Sequence, residues 1–120
     1  RRYDLYGIHF DFDKATIQPQ TQGLLDDIAE ALESFPNWRL QIVGHTDALG
    51  STQYNQGLSQ RRADAAMRYL GQYGISSGRV RSTGRGELEP IGSNETEGGR
   101  YTNRRIEVAI FANASARGNQ

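Results

Sequence analysis

Apolar and polar residues follow three rhythms along the chain, and each predicts an element. Leu5 to Phe12 (LYGIHFDF) alternates loosely and is rich in aromatics and Ile. That predicts a first strand, with Asp11, Asp13 and Lys14 at its exit. Leu24, Leu25, Ile28, Leu32 and Phe35 recur at helical spacing, so a helix is predicted that opens at Pro19 and Thr21 and stops at Pro36-Asn37. Arg39 to Val43 reads as a second strand, and the continuous apolar character of Leu40, Ile42 and Val43 predicts cover on both faces. From Ser51 to Tyr73, Ala63, Ala66, Met67 and Leu70 form a helical stripe. Gly57 interrupts this run and Ser59 has the chemistry of an N-cap. The expectation is a short helix, a break or kink, and a longer helix ended by Gly74. Arg79 to Arg85 is a short third strand. Gly86 to Thr102 is a long connection, of a length more often functional than idle. Ile106 to Phe111 is the last strand, with Ile106, Val108 and Ile110 on one face.

Strand, helix and strand within the first part of the chain form a βαβ-type unit, for which a right-handed crossover is expected. One domain is predicted over residues 1–111, and the small, polar residues 112–120 are expected to be a disordered tail. A chain of 120 residues holds one domain and not comfortably two. No internal repeat is seen.

Composition narrows the function. Fourteen Lys plus Arg balance fourteen Asp plus Glu, so no basic footprint draws the chain toward nucleic acid. Thirteen of the cations are Arg, whose fork matches carboxylates, although genomic base composition accounts for the bias equally well. The absence of Cys excludes disulfides and thiolate metal sites. No apolar run approaches the roughly 20 residues of a membrane span. The chain starts Arg1-Arg2-Tyr3 without a signal peptide, as expected of a processed or excised domain whose anchor lies outside it.

The candidate chemistry centres on Gly44-His45-Thr46-Asp47 at the exit of the second strand and on Arg62, fifteen positions after Asp47. Ligands of α/β folds bind beyond the carboxyl ends of strands. A carboxylate and a guanidinium placed there together suit a zwitterion better than an anion. Asn55, Ser59 and Arg62 share a face if the helix is nearly continuous. The duller reading stands beside this one: Asp47 and Arg62 simply pair as a structural salt bridge. Asp13 or Asp11 either lines the same rim or satisfies loop amides. His45, Asp47 and nearby hydroxyls sketch a hydrolase, but no Gly-x-Ser-x-Gly elbow exposes a nucleophile. Carboxylate pairs for glycoside cleavage are conceivable. His9 and His45 are not at metal-ligand spacing, and no glycine-rich turn cradles phosphate. No metal and no cofactor is therefore expected.

Five ordered motifs carry a resemblance over roughly Gly7 to Phe111. They are Phe10-Asp11-Phe12-Asp13, Gly44-His45-Thr46-Asp47, Tyr54-Asn55 with Leu58-Ser59 and Arg62-Ala63, Tyr69-Leu70 with Gly74-Ile75, and Asn103-Arg104-Arg105-Ile106-Glu107. Together they resemble the OmpA-like (OmpA C-terminal) peptidoglycan-binding domain. The resemblance implies an α+β fold, a β-α-β-α-β-β sandwich with a mixed four-stranded sheet and helices packed on it. It implies a noncatalytic domain of the Gram-negative periplasm, tied to the outer membrane, or to the inner membrane in a stator-type protein, by segments outside this chain. It implies noncovalent binding of the meso-diaminopimelate of the peptidoglycan stem peptide, and a possible homodimer. Asp47 and Arg62 match the residues that clasp the amino-carboxylate end. Asp13, Thr46, Asn55, Leu58 and Arg104 match residues that line or support the pocket. Some relatives carry Asn where Asp13 stands, so the rim here gains a negative charge. The module also serves flagellar stators and secretion systems, and a peptidoglycan hydrolase is the remote alternative. Alanine at Asp47 or Arg62 is expected to abolish binding without unfolding the chain.

Overall fold

A computed structural model describes the backbone of residues 2–111 and the side chains of residues 8–111. The expected tail at 112–120 lies outside the described residues. The elements run β1 (Arg2–His9), a 3-10 turn at Pro19–Thr21, α1 (Gln22–Ser34), β2 (Arg39–Gly44), α2 (Thr52–Gln72), a 3-10 turn at Ser77–Arg79, β3 (Val80–Gly84), α3 (Glu97–Asn103) and β4 (Arg105–Phe111). The fold is α+β, with four strands in one mixed sheet ordered β1-β4-β2-β3. β4 runs antiparallel to both β1 and β2, whereas β2 and β3 are parallel. The early strand-helix-strand unit is therefore split, because β4 lies between β1 and β2. The adjacent parallel pair is β2-α2-β3.

The core lies on one face of the sheet. Leu40 pairs with Ile110 and Ile42 with Val108, and all four are buried with Leu25, Ile28 and Leu32 of α1 and Ala63, Ala66 and Leu70 of α2. Gln41 and Val43 point the other way and are half-buried. The cover expected on both faces of β2 is thus found on one, because both long helices pack against the same side. Phe35, predicted on the apolar stripe of α1, caps its end, 48% exposed, and stacks on Trp38 at 4.1 Å.

Two further expectations need correction. α2 is a single helix with no break at Gly57, and its N-cap is Ser51, whose hydroxyl accepts from the Tyr54 amide. One glycine costs a helix about 1 kcal/mol, which the buried face of α2 outweighs. The long connection also contains α3, which Gly98 and Gly99 concealed from a propensity reading. Its start signal was nevertheless present: Thr96 caps the Gly99 amide and Glu97 occupies the first turn.

Glycines let α2 press onto the strand ends. A Cβ on Gly44 would stand 2.0 Å from the Ser59 carbonyl oxygen, and one on Gly84 would stand 2.5 Å from the Gln60 amide nitrogen. Both neighbours are backbone and cannot swing aside. Gly44→Ala is expected to destabilise the fold by about 2 kcal/mol or more, measured by denaturant unfolding. A neutral result would contradict this packing.

Candidate functional site

The approach of α2 to the β2 exit brings its polar face against the Gly44–Asp47 loop. Asn55, Ser59 and Arg62 are all fully buried there. Ser59 is not an N-cap. Its hydroxyl donates to the Gln56 carbonyl and accepts from the Gly86 amide, tying α2 to the loop after β3.

Arg62 is 0% exposed. Its Nε donates to the Lys14 carbonyl at 2.7 Å, Nη1 to the His45 carbonyl at 2.9 Å and Nη2 to the Asp11 carbonyl at 3.1 Å. It also lies over the Phe10 ring. Burial lowers its pKa to about 10, partly opposed by the negative charge of Asp47. It therefore remains a cation at neutral pH. Three of its five N–H donors hold carbonyls, and Nη1 and Nη2 each keep a second hydrogen.

Asp47 does not form the simple bridge to Arg62 that spacing left open. Its ion pair is with Arg104, whose Nη1 stands 3.1 Å from Asp47 Oδ2. Asp47 Oδ1 accepts from the Leu49 amide at 3.0 Å. Arg104 further donates from Nε to the Phe10 carbonyl and from Nη2 to Glu97 at 2.7 Å. Burial works against the Arg104 charge, but Glu97 and Asp47 outweigh it and raise its pKa.

Between these groups opens a cavity of about 240 Å³. Of the seven residues named from the sequence, Asp13, Asp47, Asn55, Leu58, Arg62 and Arg104 line it. Thr46 does not: its hydroxyl turns back to the Asp47 carbonyl at 2.8 Å. Asp13 sits in a turn with φ 58°, not on a strand, at the exposed rim. It accepts a hydrogen bond from the Tyr54 hydroxyl, which raises the Tyr54 pKa. The Asn55 amide nitrogen is saturated by the Asp47 and Leu49 carbonyls and by Glu87. A larger hollow of about 380 Å³ opens at the opposite strand ends beside Arg39, Arg79 and Arg81. There Arg79 clasps the Leu32, Phe35 and Trp38 carbonyls, which is a structural use.

Sequence reasoning missed Phe12, Leu49 and Tyr54 in the wall, and Glu87, Asn94 and Glu97 behind it. Asn94 Oδ1 accepts from the Ala48 amide and from Asn103 Nδ2, so the long connection braces the Asp47 loop. His45 serves through its backbone: its amide donates to the Arg105 carbonyl and its own carbonyl accepts from Arg62. The ring is 1% exposed, its nitrogens make no hydrogen bond among the described residues, Nε2 standing 3.6 Å from Glu107 Oε1, and burial lowers its pKa. No hydroxyl is paired with that ring among the described residues.

A mixed sheet with an acidic-basic cleft where β2 meets α2 defines the class, and the chain belongs to the OmpA family, whose profile matches residues 9–104. It is 39% identical over 107 residues to outer membrane porin F of Pseudomonas fluorescens, covering 89% of this chain and 33% of that protein. The structure of the peptidoglycan-associated lipoprotein from Burkholderia pseudomallei superposes with a TM-score of 0.84 at 33% identity, over 87% of this chain and 88% of that one. The cell wall anchor of the T6SS from Pseudomonas aeruginosa superposes with a TM-score of 0.73 at 32% identity, over 92% and 80%. The chain spans a third to a half of the length of the curated relatives porin F and Bordetella avium outer membrane protein A, 33% and 52% respectively. Among the described residues no helix is long and apolar enough to cross a membrane.

Proposed function

We propose that this chain is a noncatalytic wall-binding module that anchors an envelope protein to peptidoglycan, and that its ligand is the meso-diaminopimelate of the stem peptide. The observation that carries the proposal is Arg62. Its guanidinium is fully buried, lines the cleft and is held by carbonyls in place of a carboxylate. A buried cation without a partner anion is costly. A ligand carboxylate on the two remaining donors relieves that cost through a charge-assisted fork. Asp47, on the same cleft wall, takes the ammonium, and Asp13 at the rim adds attraction for it. Asn55 and Arg104 hold the wall in shape through their bonds to Leu49, Glu87, Asp47 and Glu97. The two similar structures support the reading by what they are: a peptidoglycan-associated lipoprotein and a cell wall anchor. The chain then works in the periplasm, and its parent attaches to either membrane through other segments. A stator or secretion-system anchor uses the same cleft in the same way.

Purified sacculi test this. Diaminopimelate-type sacculi should retain the chain, and lysine-type sacculi, which lack the terminal carboxylate, should retain it at least tenfold less, about the 1.4 kcal/mol or more expected of a sheltered charged contact. Equal retention would contradict the role of Arg62. Soluble fragments released from sacculi on long incubation would show a hydrolase instead.

A further inference from the structure

Arg104 is divided between two carboxylates. Its Nη1 stands 3.1 Å from Asp47 and its Nη2 donates to Glu97 Oε2 at 2.7 Å, while Nε is fixed on the Phe10 carbonyl at 2.8 Å. Glu97 is not part of the cleft wall. It opens α3, is 65% exposed, and its second oxygen stands 3.4 Å from Arg100 Nε. A guanidinium beside one carboxylate ordinarily forks onto it with two donors. Here the second terminal nitrogen is on Glu97, and Asp47 receives a single guanidinium contact at Oδ2 while its Oδ1 accepts from the Leu49 amide. The cleft wall holds two carboxylates, Asp13 and Asp47, against two guanidinium groups, Arg62 and Arg104. Glu97 brings a further carboxylate to the Arg104 end, shared with Arg100.

We infer that Glu97 is a positioning residue for the ligand ammonium: by engaging one arm of Arg104 it keeps Asp47 from a two-pronged ion pair, leaving on Asp47 the charge that the ammonium of a zwitterionic ligand meets. This rests on the wall-binding reading. Glu97 acts through Arg104 and touches no ligand. Because it is exposed, its influence is screened by salt.

The test compares two probes: a stem tripeptide ending in meso-diaminopimelate, and the same tripeptide acetylated on the free amino group. Calorimetric titration gives the affinity ratio between them for each variant. The unaltered chain should prefer the free amine. Glu97→Gln should weaken the free-amine peptide about three- to fivefold, leave the acetylated one unchanged, and so shrink the ratio. The difference between the unaltered chain and Glu97→Gln should fade as salt is raised. Glu97→Asp, which keeps the charge, should restore most of the ratio, and Arg100→Gln should leave it intact. Equal losses for both peptides would mean that Glu97 only pins α3. An unchanged ratio in Glu97→Gln would overturn the inference while leaving the wall-binding reading in place. Failure of the unaltered chain to bind either peptide would overturn both.

Discussion

Arg62→Ala is expected to lower stability by about 3–5 kcal/mol as well as to remove ligand binding. From α2, Arg62 holds three backbone carbonyls belonging to two segments. The carbonyls of Asp11 and Lys14 belong to the turn between β1 and α1, and that of His45 to the β2 exit. Truncation leaves all three without these donors and leaves a hollow beside Phe10, over which the guanidinium lies at 5.1 Å. Removing the buried charge returns part of its desolvation cost, which keeps the net loss below the sum of three charged hydrogen bonds. For a domain of this size the loss corresponds to a fall in melting temperature of roughly 12–20 °C, read by thermal unfolding. The sequence leads one to expect that alanine here abolishes binding without unfolding the chain; the three carbonyl bonds add a loss of stability to that expected outcome. A variant that melts with the unaltered chain would show that the three carbonyls find other donors at no cost. Arg62→Lys separates the two roles: one ammonium reaches some of the carbonyls, but cannot present a fork to a carboxylate. It should regain part of the stability and little of the binding.

The same residue shows what is legible in a single sequence. Hydrophobic periodicity located four strands and two long helices, and spacing placed Asn55 and Arg62 on one face of α2. Both are properties of neighbours along the chain. The partner of Asp47 was not legible, because Arg104 lies 57 positions away and reaches it only because β4 inserts between β1 and β2. No local rhythm encodes that strand order. The resemblance supplied Arg104 as a supporting residue but not its bond to Glu97. α3 was missed because two glycines lowered its apparent propensity, and the kink at Gly57 was expected because one glycine was given more weight than a buried helix face. The resemblance names Thr46 among the residues that line or support the pocket, yet a side chain one residue along a loop points elsewhere, and here its hydroxyl closes on a backbone carbonyl.

Asp47→Asn is expected to cost the largest share of affinity for the least disturbance of the fold. Asparagine keeps the shape, and its side-chain oxygen still accepts from the Leu49 amide, as Oδ1 of Asp47 does at 3.0 Å. What disappears is the charge. Two consequences follow and they reinforce each other. The ligand ammonium loses a carboxylate sheltered from water, at 3% exposure, which is worth about 2–3 kcal/mol, or roughly 30- to 150-fold in affinity. Arg104, released from its 3.1 Å ion pair, leaves its positive charge facing the same place and repels the ammonium. The fold is affected less, because Arg104 keeps Glu97 and the Phe10 carbonyl. The stability loss should be about 1–2 kcal/mol, well below that of Arg62→Ala. Measured side by side by titration with the diaminopimelate tripeptide and by thermal unfolding, the two variants should thus separate. Asp47→Asn falls mainly on the binding axis, and Arg62→Ala falls on both. If Asp47→Asn bound the peptide as well as the unaltered chain, the ammonium would have to be held elsewhere on the rim, with Asp13 the remaining carboxylate of the cleft wall.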